Sequence, residues 1–144
     1  MHTTTLTDAD DTARISAGQP SFIMQEEFDR YTGYWWQPVS TTDNFWYILY
    51  EEVDERKVPQ VPIVDFGLSG TVEMFTFPRA GETNATTVLK IVKIPLSACH
   101  NEANGFHTPT HLVLRSLTSN LRKVLGWHEY IVRCDWMPDG NAVS

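Results

Sequence analysis

Glu26 and Glu27 stand side by side in the run Gln25-Glu26-Glu27-Phe28-Asp29-Arg30-Tyr31-Thr32-Gly33-Tyr34-Trp35-Trp36-Gln37-Pro38, a carboxylate pair beside an aromatic cluster. Two carboxylates can hold one ammonium group through charge-assisted hydrogen bonds, and aromatic walls that exclude water strengthen the attraction. Recognition of a cation is the chemistry this pattern suits. The opposing reading is a solvated, dipole-complementing acidic surface at a helix end, with Glu26 occupied by Arg30 four residues on. Trp35 and Trp36 read first as packing residues rather than a cage around a cation, and strand alternation turns one of them inward.

Other chemistries find no support. Serine hydrolysis needs a nucleophile on a tight turn, and no Gly-x-Ser-x-Gly occurs; Gly67-Leu68-Ser69-Gly70 has the wrong spacing. Cys99, His100, His107 and His111 are the nearest approach to a metal cluster, but Pro109 breaks the helix that a zinc-binding His-x3-His pair requires. His128-Glu129 lacks the second histidine of a zinc-protease motif, and no Gly-rich phosphate loop is visible. No metal and no cofactor are expected.

The acid pair needs a particular backbone. Successive side chains of an extended strand point to opposite faces, so both carboxylates reach one ligand only from a bend or helical turn. Phe28, Tyr31 and Trp35 fall at i, i+3 and i+7, which predicts a short helix over Gln25 to Thr32 with Gly33 as its stop. The rest reads as strands: Phe22 to Met24, Tyr34 to Trp36, Phe45 to Glu51, Val61 to Phe66, Val72 to Phe77, Thr87 to Ile94, Leu112 to Leu117 and Tyr130 to Asp135. Eight short strands punctuated by aromatics and turns predict an all-β chain, a sandwich, barrel or propeller, with a short helical insertion carrying the Glu pair; aromatics before turns at strand ends favour propeller blades, and periodicity alone leaves the choice open. Ser97 to Pro109 reads as a loop, and Ser119 to Val124 is too short to assign. Trp136-Met137-Pro138-Asp139-Gly140 is a turn signal that echoes Trp36-Gln37-Pro38, and the returning strand is expected to start at its far side.

The 144 residues are enough for one domain, and 42% hydrophobic against 20% charged residues indicates a folded chain. Residues 1–12 are the exception, a polar and disordered N-terminal segment without the basic start and apolar run of a signal peptide. No apolar run approaches the about 18 residues of a membrane span. The net charge of −7 repels nucleic acid and favours cationic partners. Cys99 and Cys134 read as free thiols of a reducing compartment, which predicts a cytoplasmic protein, and the sequon Asn84-Ala85-Thr86 as a chance triplet.

The run from Gln25 to Trp36 closely resembles the double-glutamate motif and following Tyr-Trp-Trp strand of the dipeptidyl peptidase IV family, nearest the cytosolic 8 and 9 type. Ala13 to Gly18, Ile48 to Glu55, Phe75 to Asn84 and Trp127 to Gly140 extend the similarity, leaving 96–126 poorly matched. Gln37, Ala85, the loosely matching 55–70 stretch and the loop Ser97 to His111 depart from the family pattern, all outside the acid pair. The resemblance implies that residues 13–144 are a partial β-propeller, about two to three four-stranded antiparallel blades of the N-terminal propeller of a serine-type dipeptidyl peptidase. It further implies that Glu26 and Glu27 bind the free α-amino group of a peptide substrate, while an α/β-hydrolase domain, absent from this chain, cleaves off the dipeptide. Implied partners are peptides with a free N-terminus, that hydrolase domain and a second copy in a homodimer of the intact enzyme, with no nucleic acid and no membrane. The chain alone is then inactive. The rival expectation is a noncatalytic truncated propeller that works as a protein-interaction module through open strand edges.

Overall fold

A computed structural model describes residues 14–38, 44–64, 67, 71–95, 113–117, 123 and 125–144. Within them the order is β1 (Ile15–Ala17), α1 (Phe22–Glu26), β2 (Tyr34–Trp36), β3 (Phe45–Asp54), β4 (Gln60–Val64), β5 (Val72–Thr76), β6 (Thr86–Pro95) and β7 (Val113–Ser116). The N-terminal segment 1–12, Cys99, His100, His107, His111 and nearly all of the two unassigned stretches lie outside the described residues. The all-β, partial-propeller expectation is met: antiparallel sheets dominate the described residues, and the short helix Phe22–Glu26 interrupts them.

β3 is the spine of the larger sheet. It is rich in aromatic and β-branched residues, which suit a pleated, half-buried surface, and β6 pairs with it from Phe45 opposite Pro95 to Asp54 opposite Thr86. β7 adds to the far side of β6. Alternation along β3 turns Leu49, Glu51 and Val53 to one face, where all three are buried. Leu49 and Leu89 form the core there with Cys134, and Trp35, Ile91, Ile131, Trp136 and Val143 pack around them.

The other edge of β3 carries two short strands end to end. β1 pairs with Glu52 to Asp54 and β2 with Ile48 to Tyr50. Glu51 lies at their junction: its carbonyl accepts from Gly18 N–H at 2.8 Å, its own N–H donates to the Gly33 carbonyl at 2.8 Å, and Gly33 N–H donates to Gly18 at 3.1 Å. One edge strand thus opens at Gly18, releases residues 19–32 as an excursion and closes again at Gly33. That excursion holds α1 and the acid pair.

Several sequence expectations need correction. Phe22 to Met24 is helical rather than extended, because Met24 alone of the trio is buried and the chain turns over it. The helix ends at Glu26 instead of running to Thr32, and Asp29 takes the left-handed conformation (φ 52°) expected of Gly33. Tyr130 to Asp135 forms no strand among the described residues; its carbonyls and side chains serve the core and the excursion instead. β1 was missed, three residues with a serine at the centre giving no alternation to detect. The Pro-Asp-Gly turn does form a hairpin, with Trp136 bridged to Val143 and Gly140 at φ 70°.

The β4–β5 hairpin is a separate two-stranded sheet whose Ile63, Val64, Val72, Met74 and Phe75 are all exposed. A lone two-stranded hairpin is marginal in water, and open edges recruit other chains. The isolated 144-residue chain is therefore expected to associate or fold only in part. Size-exclusion with a thermal scan checks this, and a monomer with one cooperative transition would contradict it. No helix among the described residues is long and apolar enough to cross a membrane.

Candidate functional site

Glu26 is the last residue of α1 and Glu27 its C-cap, and both side chains are exposed. Ser21 starts the helix from an extended conformation, Glu27 N–H closes it on Ile23 at 2.9 Å, and Met24 anchors it to the core. Arg30 N–H then donates to the Met24 carbonyl at 3.1 Å, closing a turn that contains both acids and the left-handed Asp29. A helical turn is present at the acids, and it begins three residues earlier than the sequence pattern indicated.

The position is electrostatically unfavourable for acids. The carboxyl end of a helix carries the negative end of its dipole, so the pair gains nothing there; the effect is small for so short a helix, but its sign is adverse. No ion pair reaches Glu26 or Glu27 among the described residues. Arg30, expected to occupy Glu26, turns inward and grips Glu51 with Nη1–Oε1 at 2.7 Å and Nη2–Oε2 at 3.0 Å. This correction has a physical reason: Glu51 is only 1% exposed on a core-facing position of β3, where an unpaired carboxylate would cost several kcal/mol, roughly. Arg30 also donates to the carbonyls of Thr32 and Ile131, at 3.0 and 3.2 Å, and lies 5.7 Å from the centre of the Trp35 ring.

Of the two tryptophans, one of which alternation turns inward, it is Trp35 that faces the core, while Trp36 and Tyr34 stand on the outer face. The two Trp-turn segments prove to be partners: Trp136 Nε1 donates to the Trp35 carbonyl at 3.0 Å and Gln37 Nε2 to the Gly140 carbonyl at 2.7 Å. Around the acids, Phe28 meets Tyr130 at 5.9 Å between ring centres. The charge of Asp29, its hydrogen bond with the phenol and, more weakly, the charge of Glu26 push Tyr31 above the ordinary tyrosine value. Glu26, Asp29 and Tyr31 therefore share one solvent-facing, anionic surface. Its carboxylates can accept hydrogen bonds from a cation. Among the described residues no cluster of His, Cys, Asp and Glu could hold a metal ion.

In the core beside Leu49 and Leu89, Cys134 is a free thiol that burial pushes up to about 11 from an ordinary 9.0. The folded state keeps the proton longer than the unfolded state does, so its contribution is complete below pH 9 and lost between 9 and 11, at about 1.4 kcal/mol per unit. Alkylation followed by mass mapping should leave Cys134 unmodified at pH 8 until the fold opens.

The family described as the dipeptidyl peptidase IV N-terminal region matches residues 2–144. Among curated proteins, dipeptidyl peptidase 8 of Mus musculus and of Homo sapiens are each 32% identical over 131 residues. The alignment covers 88% of this chain and 14% of either relative, so the chain spans about a seventh of their length.

Proposed function

The chain belongs to the dipeptidyl peptidase IV N-terminal region family, and on that premise we propose that Glu26 and Glu27 anchor the free α-amino group of a peptide. In this proposal the segment is the substrate-measuring part of a serine-type dipeptidyl peptidase, and an α/β-hydrolase domain supplied by the rest of the enzyme performs the hydrolysis. One observation carries it: two adjacent carboxylates stay exposed and unpaired at a helix end whose dipole opposes them, while the arginine spaced to neutralise them is held elsewhere. Local electrostatics lends these acids no stability in that place, which supports a ligand-binding role for them.

Magnitudes set the conditions. An exposed ion pair contributes about 0–1 kcal/mol, so the segment alone binds an ammonium weakly. Enclosure by the remainder of the enzyme lowers the local dielectric and raises the value of each contact. Holding the amine at a fixed distance from the nucleophile would make the second peptide bond the one cleaved. We place this work in the cytoplasm, a reading supported by the free Cys134 thiol. The test is mouse dipeptidyl peptidase 8 carrying residues 13–144 in place of its matching stretch. It should cleave a dipeptidyl substrate with a free amine and discriminate strongly against the analogue in which that amine is replaced by hydrogen. Equal use of both would sink the proposal.

A second function, as a noncatalytic interaction module, is supported by an open apolar cleft of about 480 Å3 over Tyr34, Trp36, Ile48, Tyr50 and Val92 on the outer face of the sheet. That function makes no use of the acid pair. A segment that supports no Glu-dependent amine selectivity in the same chimera would favour it.

A further inference from the structure

Resting on the amine-anchoring role just proposed, we propose that Glu51 is a positioning residue that keeps the amine site anionic by holding the Arg30 guanidinium away from it. Arg30 is the cation nearest the acids in sequence, four residues after Glu26 and three after Glu27. Its backbone is tied to the same turn through the hydrogen bond to Met24. A guanidinium released at that point would form a fork onto one of the carboxylates and occupy the place of the substrate's ammonium. The direction of a single side chain therefore decides whether the site is open.

The fold sets that direction with several contacts. Glu51 accepts from both Nη atoms, and the carbonyls of Thr32 and Ile131 take further donors. Arg30 is 12% exposed and Glu51 1%. Gly33 makes the arrangement possible, because a Cβ there would lie 2.5 Å from Glu51 Oε1 and 2.9 Å from the Gly18 carbonyl carbon. The junction between β1 and β2 is thus built around the Glu51 side chain, and the excursion that presents Glu26 and Glu27 leaves and returns at that same residue. Presentation of the acids and removal of their competing cation share one structural device.

The chimeric enzyme tests this with a free-amine substrate and its desamino analogue. Glu51→Gln should raise KM for the free-amine substrate at least about tenfold with kcat near the parent value, and leave the desamino analogue unaffected. Arg30→Met combined with Glu51→Leu replaces the buried pair by apolar side chains of similar size, a change that folds tolerate. With no guanidinium left to compete, its KM should stay within about twofold of the parent. An unchanged KM in folded Glu51→Gln would overturn the proposal, and so would a double variant with KM raised about tenfold, whether or not the single variant folds. Glu27→Gln separates the two layers: if it leaves free-amine KM unchanged, the amine site itself is wrong, whereas a raised KM there with none in Glu51→Gln rejects only the role of Glu51.

Discussion

Replacing Arg30 with Ala should destabilise the excursion and its junction with the sheet by about 3–5 kcal/mol, the cost of leaving a buried carboxylate without its partner. Glu51 is 1% exposed, and its two oxygens receive both of their side-chain hydrogen bonds from this one guanidinium. The same substitution strips donors from the Thr32 and Ile131 carbonyls and removes the cation beside Trp35. Few domains hold more than about 5–15 kcal/mol in total, so a loss of this size opens the region. Hydrogen exchange read at the amides of Gly18, Gly33 and Glu51 in the full-length chimera should show protection reduced at least about a hundredfold. The Arg30→Met/Glu51→Leu pair should return most of it, since the penalty belongs to the orphaned charge rather than to the loss of the ion pair. Unaltered protection in Arg30→Ala would show that the junction stands without the clamp.

The second large effect concerns the acids themselves. Glu27→Gln, and separately Glu26→Gln, should lower kcat/KM of the chimera toward free-amine dipeptidyl substrates by about 2–4 kcal/mol, on the order of a hundredfold. Gln keeps the shape and can still accept one hydrogen bond, so the loss reports charge. Folding should be untouched, because both side chains are exposed and form no ion pair among the described residues. A drop in stability accompanying the drop in activity would point to a structural role that the geometry does not provide.

How much of this was legible before the structure differs by element. β3 and β6 declared themselves through continuous aromatic and β-branched runs, and the Tyr34-Trp35-Trp36 strand through its aromatics; alternation turned one of the two tryptophans inward without choosing between them, and that one is Trp35. Phe22 to Met24 misled because a short apolar run carries no period that separates strand from helix. The missed signal was Ser21 after Pro20, a helix-start pattern that the extended backbone of Ser21 confirms. Arg30 looked available to Glu26 because helical spacing is local, whereas its actual partner lies on another strand. That partner had left a mark: in the inward series Leu49, Glu51, Val53, a carboxylate on an apolar face demands a buried cation. The Trp-turn echo was detected, but it was two halves of one contact, Trp35 with Trp136 and Gln37 with Gly140, rather than a repeat. Gly33 was recognised as necessary for the wrong reason; it is needed to let Glu51 pass, and not to end a helix.

The most direct measurement crosses the protein change with the substrate change. In the chimera carrying residues 13–144, kcat/KM is determined for the parent and Glu27→Gln segments, each with a free-amine dipeptidyl substrate and with its desamino analogue. If Glu27 grips the amine, the substitution costs about a hundredfold with the first substrate and almost nothing with the second, a coupling of about 2–3 kcal/mol. Equal losses with both substrates would mean that the carboxylate and the amine never meet.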